Sequence, residues 1–204
     1  LSLNIKGKVM NITSFLIYCI IITFAPGPTH IITLSTVQNY GVKKAIRFCY
    51  GASIAFAIIL GLSVVLNSVL ASFLPKAISI MQIIGASYIL YLAYQIYNMD
   101  NSSSDRKNFG SFKTGFLMQF INPKVILFCI TIFPSFIMPY YSSFYELTVF
   151  ALIVSIIGSL SYFFWVMFGS LLKSFLVKYQ KTTNILLSLF LVYCAIMISG
   201  ITDL

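Results

Sequence analysis

Two polar segments, each interrupted by proline, lie inside long apolar stretches and hold most of the side chains capable of chemistry. The first, F-A-P-G-P-T-H-I-I at residues 24–32, contains two prolines, a glycine and the one histidine of the sequence. The second, Q-F-I-N-P-K at residues 119–124, contains two amides, a proline and a lysine. Proline removes a backbone donor from a helix and clashes with the carbonyl four residues earlier. The two segments therefore predict two broken helices.

A break of this kind has the chemistry of a binding site for a zwitterion. A helix that restarts at Pro28 has unpaired N–H groups from Thr29 and His30 onward, and its end carries about half a positive charge, which suits a carboxylate. Lys124 adds a full positive charge. The carbonyls freed before Pro28, together with amide side chains, would accept hydrogen bonds from an ammonium group. The predicted substrate site comprises Pro26, Gly27, Pro28, Thr29, His30, Gln119, Asn122, Pro123 and Lys124.

The positions of the charged side chains indicate which kind of substrate the predicted site would bind. The four acidic residues, Asp100, Asp105, Glu146 and Asp203, lie outside or at the edges of the apolar stretches. A cationic substrate side chain would have no partner, so we expect small neutral amino acids or their derivatives. No nucleotide-binding signature is present, which favours an ion gradient, most simply of protons. His30 and Lys124 are the candidates for proton coupling, since histidine ordinarily titrates near neutrality.

The remaining reactive side chains predict no enzyme, metal site or cofactor. The four cysteines, Cys19, Cys49, Cys129 and Cys194, are singletons with no C-x-x-C pair and no metal-ligand spacing. We expect them to be small buried side chains. The position of the acids also leaves no Ser-His-Asp arrangement, so a hydrolase is not expected.

The elements that position these segments are predicted to be membrane-spanning helices. Of 204 residues, 59% are hydrophobic and 8% are charged, and the mean hydropathy is +0.97. Soluble domains have about 25% charged residues, and a transmembrane helix needs about 20 apolar residues. The sequence therefore predicts an all-α integral membrane protein, surrounded by membrane lipid, with six spans. They are residues 12–38, 45–71, 77–98, 112–138, 146–172 and 183–201.

The polar stretch 99–111 divides this single transporter domain, residues 1–204, into two halves of three spans, 12–98 and 112–201. Because three is odd, related halves must run in opposite senses. Aligning Pro28 with Pro123 places a broken helix first in each half. A 3+3 inverted repeat with broken helices one and four is typical of secondary transporters. The alternative class is a non-transport membrane protein, such as a redox partner or an assembly scaffold.

The basic residues predict the orientation in the membrane. Nine follow odd-numbered spans, Lys43, Lys44, Arg47, Arg106, Lys107, Lys113, Lys173, Lys178 and Lys181, against Lys6, Lys8 and Lys76 on the other side. The positive-inside rule then places both termini outside. Because the cations are dispersed among loops, the net charge of +9 does not indicate a nucleic-acid partner.

Lys124 is the cation that this topology does not explain. It follows Lys113 by eleven residues, about 16 Å along a helix and so roughly halfway across a hydrocarbon core of about 30 Å. A lysine at that depth costs about 2.5–3.5 kcal/mol, so charges within a membrane are usually functional.

The sequence resembles the lysine exporter family of bacterial amino-acid efflux permeases from residue 12 onward. The matching motifs are A-P-G-P, the second span beginning G-A-S-I-A-F, I-I-G-A-S-Y-I-L-Y-L-A, Q-F-I-N-P-K-V-I-L-F and L-V-Y-C-A. The Q-F-x-N-x-K segment, the chain's ending and Gly158…Trp165…Gly169 look most similar to the cysteine and O-acetylserine exporter branch. The resemblance implies efflux of an amino acid across the bacterial inner membrane. Whether the chain forms a homo-oligomer is left open by the sequence.

The chain departs from that family at three positions. Many members carry Asp or Asn directly after P-G-P and then Asn, where this chain has Thr29 and His30. Many also carry an acidic residue in the second span, where this chain has Phe56.

Overall fold

The structure, a computed structural model, describes residues 10–98 and 109–199, with the backbone alone at 66–82 and 198–199. These residues form helices and no strands. The helices are α1 (Ile12–Phe24), α2 (Pro28–Tyr40), α3 (Val42–Tyr97), α4 (Phe112–Ile121), α5 (Pro123–Ile132), α6 (Phe144–Leu171), α7 (Lys173–Lys178) and α8 (Gln180–Ser199), with a π-helical turn at Phe133–Ile137.

Both predicted helix breaks are present. The axes of α1 and α2 differ by 49°, and α4 differs by 63° from the helix that continues through Ile137. Pro28 and Pro123 are each the first residue of the second helix in their pair. At that position a missing N–H costs nothing and the fixed φ of proline suits the helix, so proline starts a helix as readily as it ends one.

The described part of the chain contains up to five candidate membrane spans. In the described part of the chain, Val42–Val65, Phe144–Leu171 and Gln180–Met197 are long and apolar enough to cross a membrane, and the two bent pairs bring the number to five. Ile83–Tyr97 is a shorter apolar helix. The third predicted span, 77–98, begins among residues whose side chains are not described. Six spans in a 3+3 inverted repeat therefore remain a prediction.

The long helix α3 is not a straight rod. A β-carbon added at Gly51 would collide with the carbonyl oxygen of Phe112, and one added at Gly85 with that of Ile121. Phe112 and Ile121 are the ends of α4, which is about 14 Å long, whereas Gly51 and Gly85 would be about 50 Å apart in a straight helix. The chain therefore doubles back between these two glycines, and both arms of α3 pack closely on α4.

Helix α2 lies at the centre of the bundle although its sequence is polar. Every residue from Pro28 to Gln38 is buried. The hydroxyls of Thr33 and Thr36 donate to the carbonyls of Thr29 and Ile32 one turn earlier, at 2.9 and 2.6 Å. These bonds satisfy the polar groups within the helix, as burial requires. A buried polar helix leaves the predicted site enclosed by protein.

Candidate functional site

The two helix breaks contact each other directly. The Lys124 ammonium, at the start of α5, donates a hydrogen bond of 3.0 Å to the carbonyl oxygen of Ala25, at the end of α1. Gly27 lies beside this contact, and a β-carbon there would be 3.4 Å from Lys124 Nζ. A side chain longer than a methyl group would displace the ammonium, so glycine keeps the lysine against the break.

Two buried amides join the second segment to the first. The hydroxyl oxygen of Thr29 accepts hydrogen bonds from Gln119 Nε2 at 3.3 Å and from Asn122 Nδ2 at 3.4 Å. Gln119 also donates to the carbonyl of Gly115, and its Oε1 accepts a bond of 3.1 Å from the Tyr162 hydroxyl. The network fixes the orientation of both amides and therefore of the Thr29 hydroxyl.

His30 is held by α6. Its Nε2 lies 3.2 Å from the Ser161 hydroxyl oxygen, and its ring stacks on Trp165 with centroids 5.1 Å apart and planes 27° apart. The Tyr162 ring is 5.7 Å away. His30 is only 5% exposed. The histidine is therefore fixed on one face by an aromatic ring and on its Nε2 edge by a hydroxyl.

A small cavity lies where the two breaks meet. Its volume is about 40 Å³, which admits only a few water-sized groups. The lining residues are Ile22, Thr23, Gly27, Pro28, Thr29, His30, Phe56, Asn122, Lys124, Val125, Phe128 and Tyr162. Of the residues predicted from sequence, Gln119, Pro123 and Pro26 do not line it. Gln119 is buried behind Thr29, Pro123 begins α5 close to Gly85, and Pro26 is exposed.

The two helix N-termini at the cavity differ in their capping. The start of α5 is capped by Asn122, whose Oδ1 accepts a hydrogen bond of 3.2 Å from the Lys124 backbone N–H. The start of α2 follows Gly27, which provides no side-chain cap. An uncapped helix start leaves N–H groups and a partial positive charge facing an anion. Of the two helix starts, that of α2 is therefore the one whose N–H groups have no side-chain cap.

The carbonyls at the end of α1 are not free as the sequence led us to expect. Ser161 Oγ donates to the carbonyl of Thr23 at 2.7 Å, and Trp165 Nε1 donates to that of Phe24 at 3.2 Å. Lys124 occupies the carbonyl of Ala25. Three of the carbonyls at the break therefore already have a donor from another helix. Side chains of the protein make the contacts that the sequence analysis assigned to a substrate ammonium group at these three oxygens.

Several residues of the site were missed by the sequence analysis. Phe56 lines the cavity, stacks parallel to Phe128 at 6.1 Å and meets Tyr162 edge-on. A β-carbon at Gly158 would collide with the Phe56 ring, so that glycine makes room for it. The available signals were the polar residues Ser161 and Tyr162 inside an apolar span, but nothing local relates them to His30.

An apolar helical bundle in which two broken helices meet at a cavity has the architecture of a secondary transporter. The family description "LysE type translocator" matches residues 20–199. The chain is 30% identical over 193 residues to the cysteine/O-acetylserine efflux proteins of Escherichia coli strain K12 and Shigella flexneri, which covers 92% of this chain and 96% of each relative. No solved structure matches it. The chain belongs to the LysE type translocator family, and it is a transporter, not an enzyme.

Proposed function

We propose that the protein exports small neutral amino acids or derivatives, of the cysteine and O-acetylserine kind, across the bacterial inner membrane in exchange for protons. The observation that carries the proposal is the convergence of hydrogen-bond donors on one side of the cavity. The start of α2 and Lys124 supply N–H groups there. The ammonium group of Lys124 has three protons, and one of them is used in the hydrogen bond to the Ala25 carbonyl. Two protons remain to bind a carboxylate.

Thr29 adds a further donor. A hydroxyl has two acceptor lone pairs and one proton. Both lone pairs of Thr29 are used by the amides of Gln119 and Asn122. Its proton is then the part of the hydroxyl left to interact with a ligand. A carboxylate, which only accepts hydrogen bonds, fits this group of donors.

The other side of the cavity supports a small neutral substrate side chain. Phe56, Phe128, Val125 and Ile22 form an apolar wall, and no carboxylate is among the lining residues of the described chain. A second positive charge on the substrate would be desolvated without a partner, which is costly. The relatives named above are cysteine and O-acetylserine efflux proteins, and both of those compounds have small uncharged side chains.

Proton coupling and orientation complete the proposal. His30 and Lys124 line the cavity and are its candidates for binding a proton.

With both termini outside, the basic loops face the cytoplasm. A C-terminal reporter that is active only in the cytoplasm should be silent; an active one would reverse the orientation. The alternative of a scaffold or redox partner has no support from the family.

Transport in inside-out vesicles tests the function. With an acidic lumen, labelled O-acetylserine or cysteine should accumulate inside, and collapsing the proton gradient should abolish the accumulation. Labelled lysine should accumulate far less. Vesicles from cells with the empty vector supply the background. If no neutral amino acid accumulates above that background with or without a gradient, the proposed function is wrong.

A further inference from the structure

Donor and acceptor roles assign the tautomer of His30. The single hydroxyl proton of Ser161 is used in the 2.7 Å bond to the carbonyl of Thr23, because a carbonyl can only accept. The Ser161 oxygen therefore accepts in its 3.2 Å contact with His30 Nε2. The proton of a neutral His30 must then be on Nε2. Its Nδ1 has a bare lone pair.

That lone pair is buried and has no hydrogen-bond partner among the described protein groups. A buried polar atom without a partner is costly and calls for an explanation. Two other buried side-chain atoms share this property, on Gln38 and Ser53, but neither residue lines the cavity. Of these three atoms, Nδ1 is the one whose residue lines the cavity.

Several other acceptors at the site already have donors. The carbonyls of Thr23, Phe24 and Ala25 accept from side chains, and the Thr29 oxygen accepts from two amides. The Asn122 oxygen caps α5. An ammonium group entering a cavity with these donors would find His30 Nδ1 as a buried side-chain acceptor that no protein donor occupies.

We propose that Ser161 holds His30 in the Nε2–H tautomer, and that Nδ1 binds either the ammonium group of the substrate or a proton, never both. A protonated Nδ1 has no lone pair to accept a hydrogen bond, and its charge repels an ammonium. Proton and substrate therefore exclude each other at one atom, which is the requirement for exchanging one for the other. The substrate part of this inference rests on the proposed function; the tautomer does not.

The His30 ring is only 5% exposed, so a charge on it needs a nearby hydrogen-bond partner. The titratable groups around His30 are Lys124 of α5 and Tyr162 of α6, with Cys49 of α3 beside Thr33, one turn along α2. On α8, Cys194 faces Lys124. The backbone of Ala25 also interacts with the imidazole, which gives a proton on Nδ1 a nearby carbonyl.

Nitrogen NMR reads the tautomer directly, because the sequence has a single histidine. Protein labelled with ¹⁵N-histidine, purified without a histidine tag and placed in lipid nanodiscs, should show a protonated Nε2 and an unprotonated Nδ1 above the histidine's titration. Ser161→Ala should convert the signals to a mixture of tautomers, and Ser155→Ala, on the same helix, should leave them unchanged. An Nδ1–H tautomer in the unmodified protein would overturn the assignment without reference to any variant or to transport.

Binding measured against pH tests the competition. At pH values where Nδ1 of His30 is protonated, the apparent Kd of O-acetylserine should rise about tenfold for each unit by which the pH falls. Under the same conditions, substrate binding should release a proton. The matching 2-hydroxy acid, which lacks the ammonium group, should not lose affinity as the pH falls from 8 to 5, because a positive charge on His30 does not repel a carboxylate. His30→Asn should remove the pH dependence for the amino acid. Equal pH dependence for both ligands would show that Nδ1 is not the ammonium site. If no amino acid binds at any pH, the substrate part fails together with the proposed function, and the NMR result still decides the tautomer.

Discussion

Lys124 Nζ donates a 3.0 Å hydrogen bond to the carbonyl oxygen of Ala25, so a side chain from the second helix break occupies the acceptor released by the first. The ammonium lies between the negative end of α1 and the open positive end of α2. A carboxylate bound at the start of α2 would give Lys124 a negatively charged partner in addition to the Ala25 carbonyl. If the proposed site binds a carboxylate there, we expect substrate binding to depend on the relative position of the two breaks.

Replacing this lysine separates a structural role from a transport role. Lys124→Met keeps the length of the side chain and removes the charge. We expect near-normal membrane insertion and an export rate reduced at least tenfold, since a hydrogen bond to a charged group contributes about 1.5–3 kcal/mol. The measurement is export per amount of protein in the membrane. Export that survives in proportion to protein level would make Lys124 structural.

His30→Asn should separate exchange from net transport. Asparagine keeps an acceptor oxygen but does not titrate at physiological pH, so exchange of labelled for unlabelled substrate should persist. Net export driven by a pH gradient should fall, and its dependence on pH should flatten. Both are measured in the same reconstituted vesicles. Full gradient-driven export with an unchanged pH profile would leave His30 as a lining residue only.

Gly158→Ala should disturb the cavity through its neighbour. The added methyl collides with the ring of Phe56, and overpacking of a buried site typically costs about 1–3 kcal/mol. Gly61→Ala is the matched control, because a β-carbon there meets nothing within 4 Å. Thermal unfolding in detergent should show a lower Tm for the first variant only. Restoration of the Tm by the double change with Phe56→Leu would attribute the loss to this contact.

The helix breaks could be predicted from the sequence, whereas the contacts between helices could not. Proline and glycine act on their own backbone, so the breaks at Pro28 and Pro123 followed from local chemistry. The partners of His30 did not, because Ser161 and Trp165 lie more than 130 residues away and meet it only in the folded bundle. The sequence analysis placed the two arms of α3 in separate spans, 45–71 and 77–98, so a reversal between them was expected. The close approach of Gly51 and Gly85 to α4 is a tertiary property that no local pattern indicates.

The same limit applies to the carbonyls at the end of α1. A broken helix releases acceptors by rule, and the sequence analysis assigned them to the substrate. Which donors reach them depends on the packing of α6 and α5. Ser161 and Lys124 take two of these oxygens, and this moves the predicted ammonium contact to His30.

Phe56 offers the sharpest test of substrate charge. Its ring is one of the apolar side chains that line the cavity, and it packs on Phe128. Phe56→Glu places a carboxylate of comparable length at this wall, where it would partner a cationic substrate side chain. We expect the ratio of lysine to O-acetylserine export to rise at least tenfold, equivalent to about 1.4 kcal/mol. Phe56→Leu controls for the loss of the ring and should keep the preference for neutral substrates. Equal gains in lysine export for both variants would mean that the size of the wall, and not the absence of a carboxylate, excludes the cation.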